Sequence, residues 1–338
     1  MKIAVIGAGA MGSIYGGHLS LQNEVWLVDT NQETVEHIQK NGLILQEEGQ
    51  DITYHPSAVT SSEGLPSMDL VILFVKALYS RSALSANREL IGPDTFLMTL
   101  QNGSGHEDIL SEFVPADHII IGTTEDNGAV LAPGYVRRGG TGKTNIGMPA
   151  GDPSGFLPKV KETLDACGFQ GQIHSNIQQL IWDKLFTNVS LSALTGVLQV
   201  PMGFIASDEY AWSIAERLIQ EAAAVARGLG LQADEKAIAE KVRLTSLNSP
   251  DGITSICADL KAGRKTEVNT ISGSVVRASQ KCGVPAPTHQ LIVEKIETKK
   301  LKSFSHAKPT GKYTAERLRK SVISNRKNTC NFSPIMLP

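Results

Sequence analysis

Several residues in this chain carry atoms able to bind or transform a small molecule, and their spacing narrows which one. Gly7-Ala8-Gly9-Ala10-Met11-Gly12 is a GxGxxG run. It follows the apolar stretch Lys2–Ile6 and opens a segment of helical character, Ala10–Leu21. In a strand–turn–helix unit the first glycine permits the tight turn. The second lets backbone approach a pyrophosphate, and the third lets the helix pack on the strand. The helix start turns unpaired N–H groups and a positive dipole end toward the phosphates. A glycine turn without ligand reads the same way in isolation, but Asp29 adds context. It ends the second apolar run, Glu24–Val28, 20 residues after Gly9. An acid there accepts hydrogen bonds from the adenine ribose hydroxyls. It also repels a 2′-phosphate. Two unit charges about 4 Å apart at an effective dielectric constant near 20 repel by about 4 kcal/mol, and a third of that is about tenfold in affinity. Residues 30–32 are Thr, Asn and Gln, so no cation offsets it. The chemistry favours NADH over NADPH.

Lys184, Asn188 and Ser192 are spaced i, i+4, i+8 and share one helix face. An amphipathic helix with a solvated stripe is the ordinary explanation. This helix, however, has no charged residue from Leu185 to Leu198. Glu267 follows Arg264-Lys265-Thr266 and falls in the first turn of an expected helix, Thr266–Cys282, where an acid suits the dipole. Lys76 and Asn102 each sit just past an apolar run, Leu70–Val75 and Phe96–Leu100. In open α/β sheets such carboxyl ends form the ligand crevice.

The elements that must position these groups alternate through the first half. Strands are expected at Lys2–Ile6, Glu24–Val28, Leu70–Val75, Phe96–Leu100 and His118–Ile121, with a charged helix at Gln32–Lys40. The continuously apolar runs suit strands buried on both faces, and the rhythm indicates a doubly wound parallel sheet. Short segments from Tyr135 to Gly147 fit antiparallel edge strands. After Ser175 the chain turns helical. Ser175-Asn176-Ile177-Gln178 has capping-box spacing for a helix running to about Leu198, ended by Pro201. Ser207 is placed to cap the next, to about Leu229, whose Ala222, Ala223, Ala224 and Ala226 allow close packing and are compatible with a homodimer. Further helices are expected at Asp234–Leu247, Thr254–Leu260 and Thr288–Lys302. The fold class is therefore α/β, an N-terminal Rossmann doubly wound sheet followed by an all-α C-terminal domain. The expected divisions are residues 1–174, 175–302 and a basic extension, 303–338.

These residues together resemble the ketopantoate reductase (2-dehydropantoate 2-reductase) family over about residues 1–300. The matching pieces are GAGAMG at 7–12, VK at 75–76, LQNGSG at 100–105, WDKLFTN at 182–188, and Thr254-Ser255 followed by Arg264, Thr266-Glu267 and Gly273. The resemblance implies a Rossmann domain, a helical domain and an active site in the cleft between them. It also implies hydride transfer from a nicotinamide to the ketone of a 2-oxo acid. It makes Lys184 the proton donor and Glu267 the critical acid. Asn188, Ser192, Ser255 and Asn102 become substrate contacts, and Lys76 and Asn102 lie near the nicotinamide. Two departures bear on the substrate. Ser192 stands where the family has a second asparagine, and Asp29-Thr30-Asn31 stands where NADPH-using members carry a basic residue. The latter, with Gly105-His106-Glu107-Asp108-Ile109-Leu110, resembles an NADH-using subgroup that includes D-2-hydroxyacid (D-mandelate-type) dehydrogenases. His106 is read as a start-of-helix residue rather than a catalytic base.

Composition excludes other classes. With 41% hydrophobic and 20% charged residues, the chain is not a disordered one. Its 5% aromatics offer no stacking platform for single-stranded nucleic acid. The four cysteines, Cys167, Cys257, Cys282 and Cys330, are widely spaced, with no Cys/His ligand pattern for a metal. They read as reduced thiols of a cytoplasmic protein. The longest uncharged stretch, Leu185–Ala206, contains Asn188, Ser190, Ser192, Gln199 and Pro201, which argues against a membrane span. The net charge of −2 conceals an asymmetry: residues 295–338 hold 11 Lys/Arg against 2 Asp/Glu. The remainder is acidic, so an anionic cofactor and substrate must be held by local devices. The basic segment reads as a solvated extension rather than a nucleic-acid site. A non-catalytic dinucleotide sensor is the competing class, and it would have no need of Lys184 with Glu267.

Overall fold

Runs of Val, Ile and Leu too continuous to leave one face in water form the centre of the N-terminal half. The computed structural model describes the backbone of residues 1–306 and the side chains of residues 1–298. Its strands are β1 (Lys2–Ile6), β2 (Glu24–Val28), β3 (Leu43–Glu47), β4 (Gln50–Tyr54), β5 (Ser57–Val59), β6 (Leu70–Leu73), β7 (Phe96–Thr99), β8 (Ile119–Thr124), β9 (Asn127–Ala132), β10 (Tyr135–Gly140), β11 (Lys143–Gly147) and β12 (Gln170–Ile173). Every residue of β6, β7 and β8 is buried, as strands covered on both faces must be. Eight strands form the main sheet in the order β5-β2-β1-β6-β7-β8-β11-β12. All neighbours are parallel except β8 and β11. The chain reverses direction of travel across the sheet at β1, which pairs with both β2 and β6. That switch point opens a crevice beyond the carboxyl ends of the strands.

The helices are α1 (Ala10–Leu19), α2 (Gln32–Asn41), α3 (Ser80–Ala86), α4 (Glu107–Leu110), α5 (Phe156–Ala166), α6 (Ile177–Thr187), α7 (Ala193–Leu198), α8 (Met202–Ser207), α9 (Glu209–Gly228), α10 (Glu235–Asn248), α11 (Ser255–Lys261), α12 (Ser272–Cys282) and α13 (Pro287–His306). None of the described helices is long and apolar enough to cross a membrane. Residues Met1–Ile296 form one compact unit, and a second begins at Glu297. Within the first unit, Ile177 and Ile181 of α6 join the cluster of Leu73, Leu97 and Ile121 from the sheet. The second core gathers Trp182, Phe186, Leu218, Ala222 and Ala226 from the helices.

A second sheet, β4-β3-β10-β9, was not anticipated. It packs on α1, whose residues Gly12–Leu19 are all buried. Four residues of β4, Gln50, Asp51, Ile52 and Thr53, are exposed in a row, so the strand carries no alternating apolar signal. The strands expected from Tyr135 to Gly147 pair antiparallel, β10 with β9 and β11 with β8, but neither is an edge. Tyr135–Gly140 lies inside the second sheet, between β3 and β9, and Lys143–Gly147 lies inside the main sheet, between β8 and β12. The glycine-rich link at 139–142 carries the chain from one sheet to the other.

Local capping also departs from expectation. Asn176, not Ser175, caps α6 by accepting from Gln179 N–H at 3.2 Å. Asp208, not Ser207, caps α9 through Ala211 N–H at 2.8 Å. Each helix starts one residue later than the hydroxyl would require, and the Ser207 hydroxyl already donates to the Gly203 carbonyl of α8 at 2.9 Å. The helix expected from Thr266 begins at Ser272, and Glu267 sits in the turn before it. Its dipole role therefore falls away. Cys167, Cys257 and Cys282 are free thiols. Cys330 and residues 307–338 of the basic extension lie outside the described residues.

Candidate active site

The glycine loop has the shape a dinucleotide needs. Gly7 adopts φ +102°, and its N–H donates to the Val28 carbonyl at 2.8 Å. A Cβ there would meet Val75 N at 2.9 Å, so only glycine lets β1 turn beside β6. At Gly9 a Cβ would meet no protein atom within 4 Å. Protein packing thus leaves open the space over the second glycine that a pyrophosphate would use, as expected of a phosphate cradle at a helix start. Asp29 closes the loop from β2. Its Oδ2 accepts from Ala8 N–H at 2.6 Å and its Oδ1 from Asn31 N–H at 2.8 Å. The carboxylate is half-buried at one wall of a cavity of about 480 Å³, together with Gly7, Thr60, Ser61, Val75 and Tyr79. No lysine or arginine lines that cavity.

Beyond the switch point, Lys76, Asn102 and Glu267 converge. Glu267 accepts from the Asn102 side chain and from the Ala77 N–H. Burial pushes its carboxyl pKa up, and nearby Asp259 adds to the rise, while the two hydrogen bonds and the Lys76 charge oppose it. Lys76 Nζ donates to Asp259 Oδ2 at 2.7 Å and to the Lys265 carbonyl at 2.9 Å. Asp259 also accepts from Arg264 Nε at 2.8 Å. The loop carrying Asn102 is tied to the Glu267 turn by Ser104 N–H, which donates to the Thr270 carbonyl at 3.2 Å. Gln101 braces the two strand ends from below, donating to the Val75 carbonyl and accepting from Thr99 Oγ1 at 2.8 Å. His106 is buried at the start of α4 with its Nε2 3.1 Å from the Asn102 carbonyl, in agreement with a start-of-helix reading. Burial lowers its pKa to about 4, so the imidazole is neutral near pH 7.

Lys184 approaches from α6. Its Nζ donates to the Thr124 carbonyl at the carboxyl end of β8, at 3.0 Å. Water reaches the side chain, yet the surrounding walls strip enough bulk hydration to lower its pKa, against the charge of Glu125. A π-helical turn, Asn188–Ser192, interrupts the passage from α6 to α7. The wider turn advances less per residue than the 100° of an α-helix, so it counters the sideways drift that α-helical i, i+4, i+8 positions would show. Asn188 is half-buried and Ser192 buried. Ser255 starts α11 and is exposed, while its neighbour Thr254 caps that helix and bonds Thr195 Oγ1 of α7 at 2.7 Å.

Of the residues singled out from sequence, Asn102 and Glu267 are hydrogen-bonded to each other, Lys76 acts on Glu267 through its charge while bonding Asp259 and the Lys265 carbonyl, and the glycine loop is bonded to Asp29 through Ala8. Lys184, Asn188 and Ser192 share one continuous helical path. Lys184 and Glu267 are not an ion pair. Asp259, Thr124 and Gln101 are structural partners that sequence reasoning missed. Each is an ordinary residue until the fold brings it within 3 Å or so of a functional group.

Residues 3–151 match the model of ketopantoate reductase PanE/ApbA, and residues 176–300 match its C-terminal model. The chain is 29% identical over 299 residues to a 2-dehydropantoate 2-reductase of Halobacterium salinarum, covering 88% of this chain and 98% of that one. It is 30% identical over 302 residues to the same-named protein of Pyrococcus horikoshii, covering 88% and 97%. Among solved structures, D-mandelate dehydrogenase with NADH and anilino(oxo)acetate is similar at TM-score 0.81 and 31% identity, covering 89% of this chain and 99% of that one. A 2-dehydropantoate 2-reductase homologue from Enterococcus faecalis is similar at TM-score 0.75 and 31% identity, covering 89% and 98%. This chain therefore belongs to the ketopantoate reductase PanE/ApbA family of NAD(P)H-dependent 2-oxo acid reductases.

Proposed function

We propose that the chain reduces the ketone of a 2-oxo acid with NADH, taking ketopantoate to pantoate as in pantothenate biosynthesis. The observation that carries the reading is the solvent-accessible Lys184 ammonium, held at a strand carboxyl end by its hydrogen bond to the Thr124 carbonyl at 3.0 Å. When bound, the reduced nicotinamide supplies a hydride to the carbonyl carbon. The carbonyl π pair then moves onto oxygen, and Lys184 Nζ–H donates the proton that turns the alkoxide into a hydroxyl. A cationic donor placed there stabilises charge that grows only in the transition state. The amine left behind regains its proton from solvent. Glu267 orients the substrate together with Asn102, and Asn188, Ser192 and Ser255 are the substrate contacts. Gly7–Gly12 and Asp29 hold the dinucleotide, and Lys76 lies at its nicotinamide end. The working division is a nucleotide half at 1–174, a catalytic half at 175–302 and the basic extension from 303.

A second substrate reading rests on Ser192 and Asp29. Loss of the second amide and a carboxylate at the ribose position suit an NADH-dependent D-2-hydroxyacid dehydrogenase acting on branched or aromatic 2-oxo acids. An absorbance assay at 340 nm with ketopantoate and phenylglyoxylate, each with NADH and NADPH, separates the two. In that assay Lys184→Ala is expected to lower kcat/KM by about 10²-fold or more while NADH still binds. Wild-type turnover in that variant overturns the assignment, and NADH binding without turnover of any 2-oxo acid by the wild type points instead to a dinucleotide sensor.

A further inference from the structure

Beneath the Lys184 seat lies a buried charge network that the proposed reaction does not use. Thr124 offers its carbonyl to Lys184 on one side, and its hydroxyl is gripped on the other. Tyr15 of α1 donates to Thr124 Oγ1 at 2.9 Å, and the Asp126 N–H donates to the same oxygen at 3.0 Å. Asp126, whose side chain is wholly buried, accepts from Arg138 Nε at 2.9 Å and Nη2 at 2.5 Å. Arg138, whose side chain is 6% exposed, also donates to Glu47 Oε1 at 3.2 Å and lies over the Phe169 ring. The chain passes from β8 into β9 through Glu125 and Asp126, so this ion pair fixes the turn that carries Lys184's one hydrogen-bond partner among the described residues.

A buried ion pair is a weak source of net stability, because desolvation of both charges offsets their attraction. What it does provide is geometry: both prongs of the guanidinium, Nε and Nη2, converge on Asp126 Oδ1 and fix where that oxygen lies. Here that geometry ends, two residues from the carboxylate, at the Thr124 carbonyl facing Lys184. Tyr15 ties the same threonine to the helix that begins at the glycine loop, so the seat is braced from the nucleotide side as well.

We propose that Asp126 and Arg138 are positioning residues: their buried ion pair holds the Thr124 carbonyl where it sets the place of the Lys184 ammonium against the substrate ketone. The proposal rests on Lys184 as proton donor and deepens that reading. An error of about 1 Å in such placement costs up to about 10²-fold in rate.

The test is a double-mutant cycle between this pair and Lys184. Asp126→Asn combined with Arg138→Gln removes both charges of the pair at once, and Glu47, which loses its Arg138 contact, keeps His18 Nε2 at 2.6 Å and the Tyr54 hydroxyl at 3.1 Å. Turnover of ketopantoate or phenylglyoxylate, whichever the wild type reduces faster, is measured in this variant, in Lys184→Ala, and in the combination of both. NADH affinity is followed by nicotinamide fluorescence. The expected result is a drop in kcat of about 10- to 100-fold with NADH affinity unchanged, and no further drop when Lys184 is already Ala. An unchanged kcat overturns the proposal. An equal drop in both backgrounds also overturns it, since that is the behaviour of a general structural defect. Wild-type turnover in Lys184→Ala instead overturns the proton-donor reading beneath it, so the two failures are distinct. If the paired variant does not fold, Arg138→Lys keeps the charge and loses the fork. Carried through the same cycle, it should lower kcat only where Lys184 is present, and an unchanged kcat or an equal drop in both backgrounds again overturns the proposal.

Discussion

Gly103 and Thr270 meet from opposite walls of the cleft so closely that a Cβ on residue 103 would stand 1.9 Å from the Thr270 carbonyl oxygen. Gly103 also has φ +102°, a conformation costly for any side chain. The contact locks the Asn102 loop onto the turn that carries Glu267. Gly103→Ala is therefore expected to push the two apart, lowering kcat/KM by about tenfold or more and stability by about 1–3 kcal/mol. Steady-state kinetics and thermal unfolding of the variant check both. Wild-type kinetics would show that Asn102 and Glu267 do not need this contact.

Cofactor choice should turn on Asp29. Asp29→Asn keeps the size of the side chain and an acceptor for Ala8 N–H while removing the charge that opposes a 2′-phosphate. The ratio of kcat/KM for NADH over NADPH is expected to fall by about tenfold. A wild-type enzyme that already uses NADPH better would refute the role given to Asp29.

The alkaline limb of the reductive rate should report Lys184. Its protonated form is the donor, so the rate falls as pH rises through its pKa. Partial loss of hydration against the surrounding walls places that limb below the ordinary lysine value of about 10.4. Glu125 counteracts the shift, so Glu125→Gln is expected to move the limb to still lower pH. A limb that stays in place, or moves up, in a kcat/KM profile would contradict the electrostatics described.

Stability should weaken in mild acid. His106 is buried with its pKa lowered to about 4, and burial lowers that of His289 as well. The unfolded chain binds these protons below about pH 6.5, and the folded chain does not. Stability is thus fully present above about pH 6.5 and declines as pH falls toward about 4. The His106 contribution is of order 3 kcal/mol. Calorimetric Tm against pH for the wild type and His106→Gln tests this. The variant should show the shallower decline, and identical curves would exclude His106 as the cause.

The sequence by itself determined the parts whose signal is local. GAGAMG after an apolar strand specified a turn only glycine can make, and Asp29 followed at the end of the next strand. The fully apolar runs at β6, β7 and β8 specified a sheet buried on both faces. WDKLFTN and LQNGSG marked Lys184 and Asn102 through family resemblance. The second sheet stayed hidden because β4 is exposed along most of its length and carries no apolar alternation. The caps at Asn176 and Asp208 were each one residue away from the hydroxyls that fit the pattern, since each helix starts one residue later than those hydroxyls would require. Only the tertiary structure decided what Lys76 pairs with, why Gly103 is glycine and what Lys184 rests on. Asp259 is 183 residues from Lys76, and Thr124 is 60 from Lys184. Hydrogen bonds act over about 3 Å, and no spacing along a chain encodes which distant atoms folding brings within that reach.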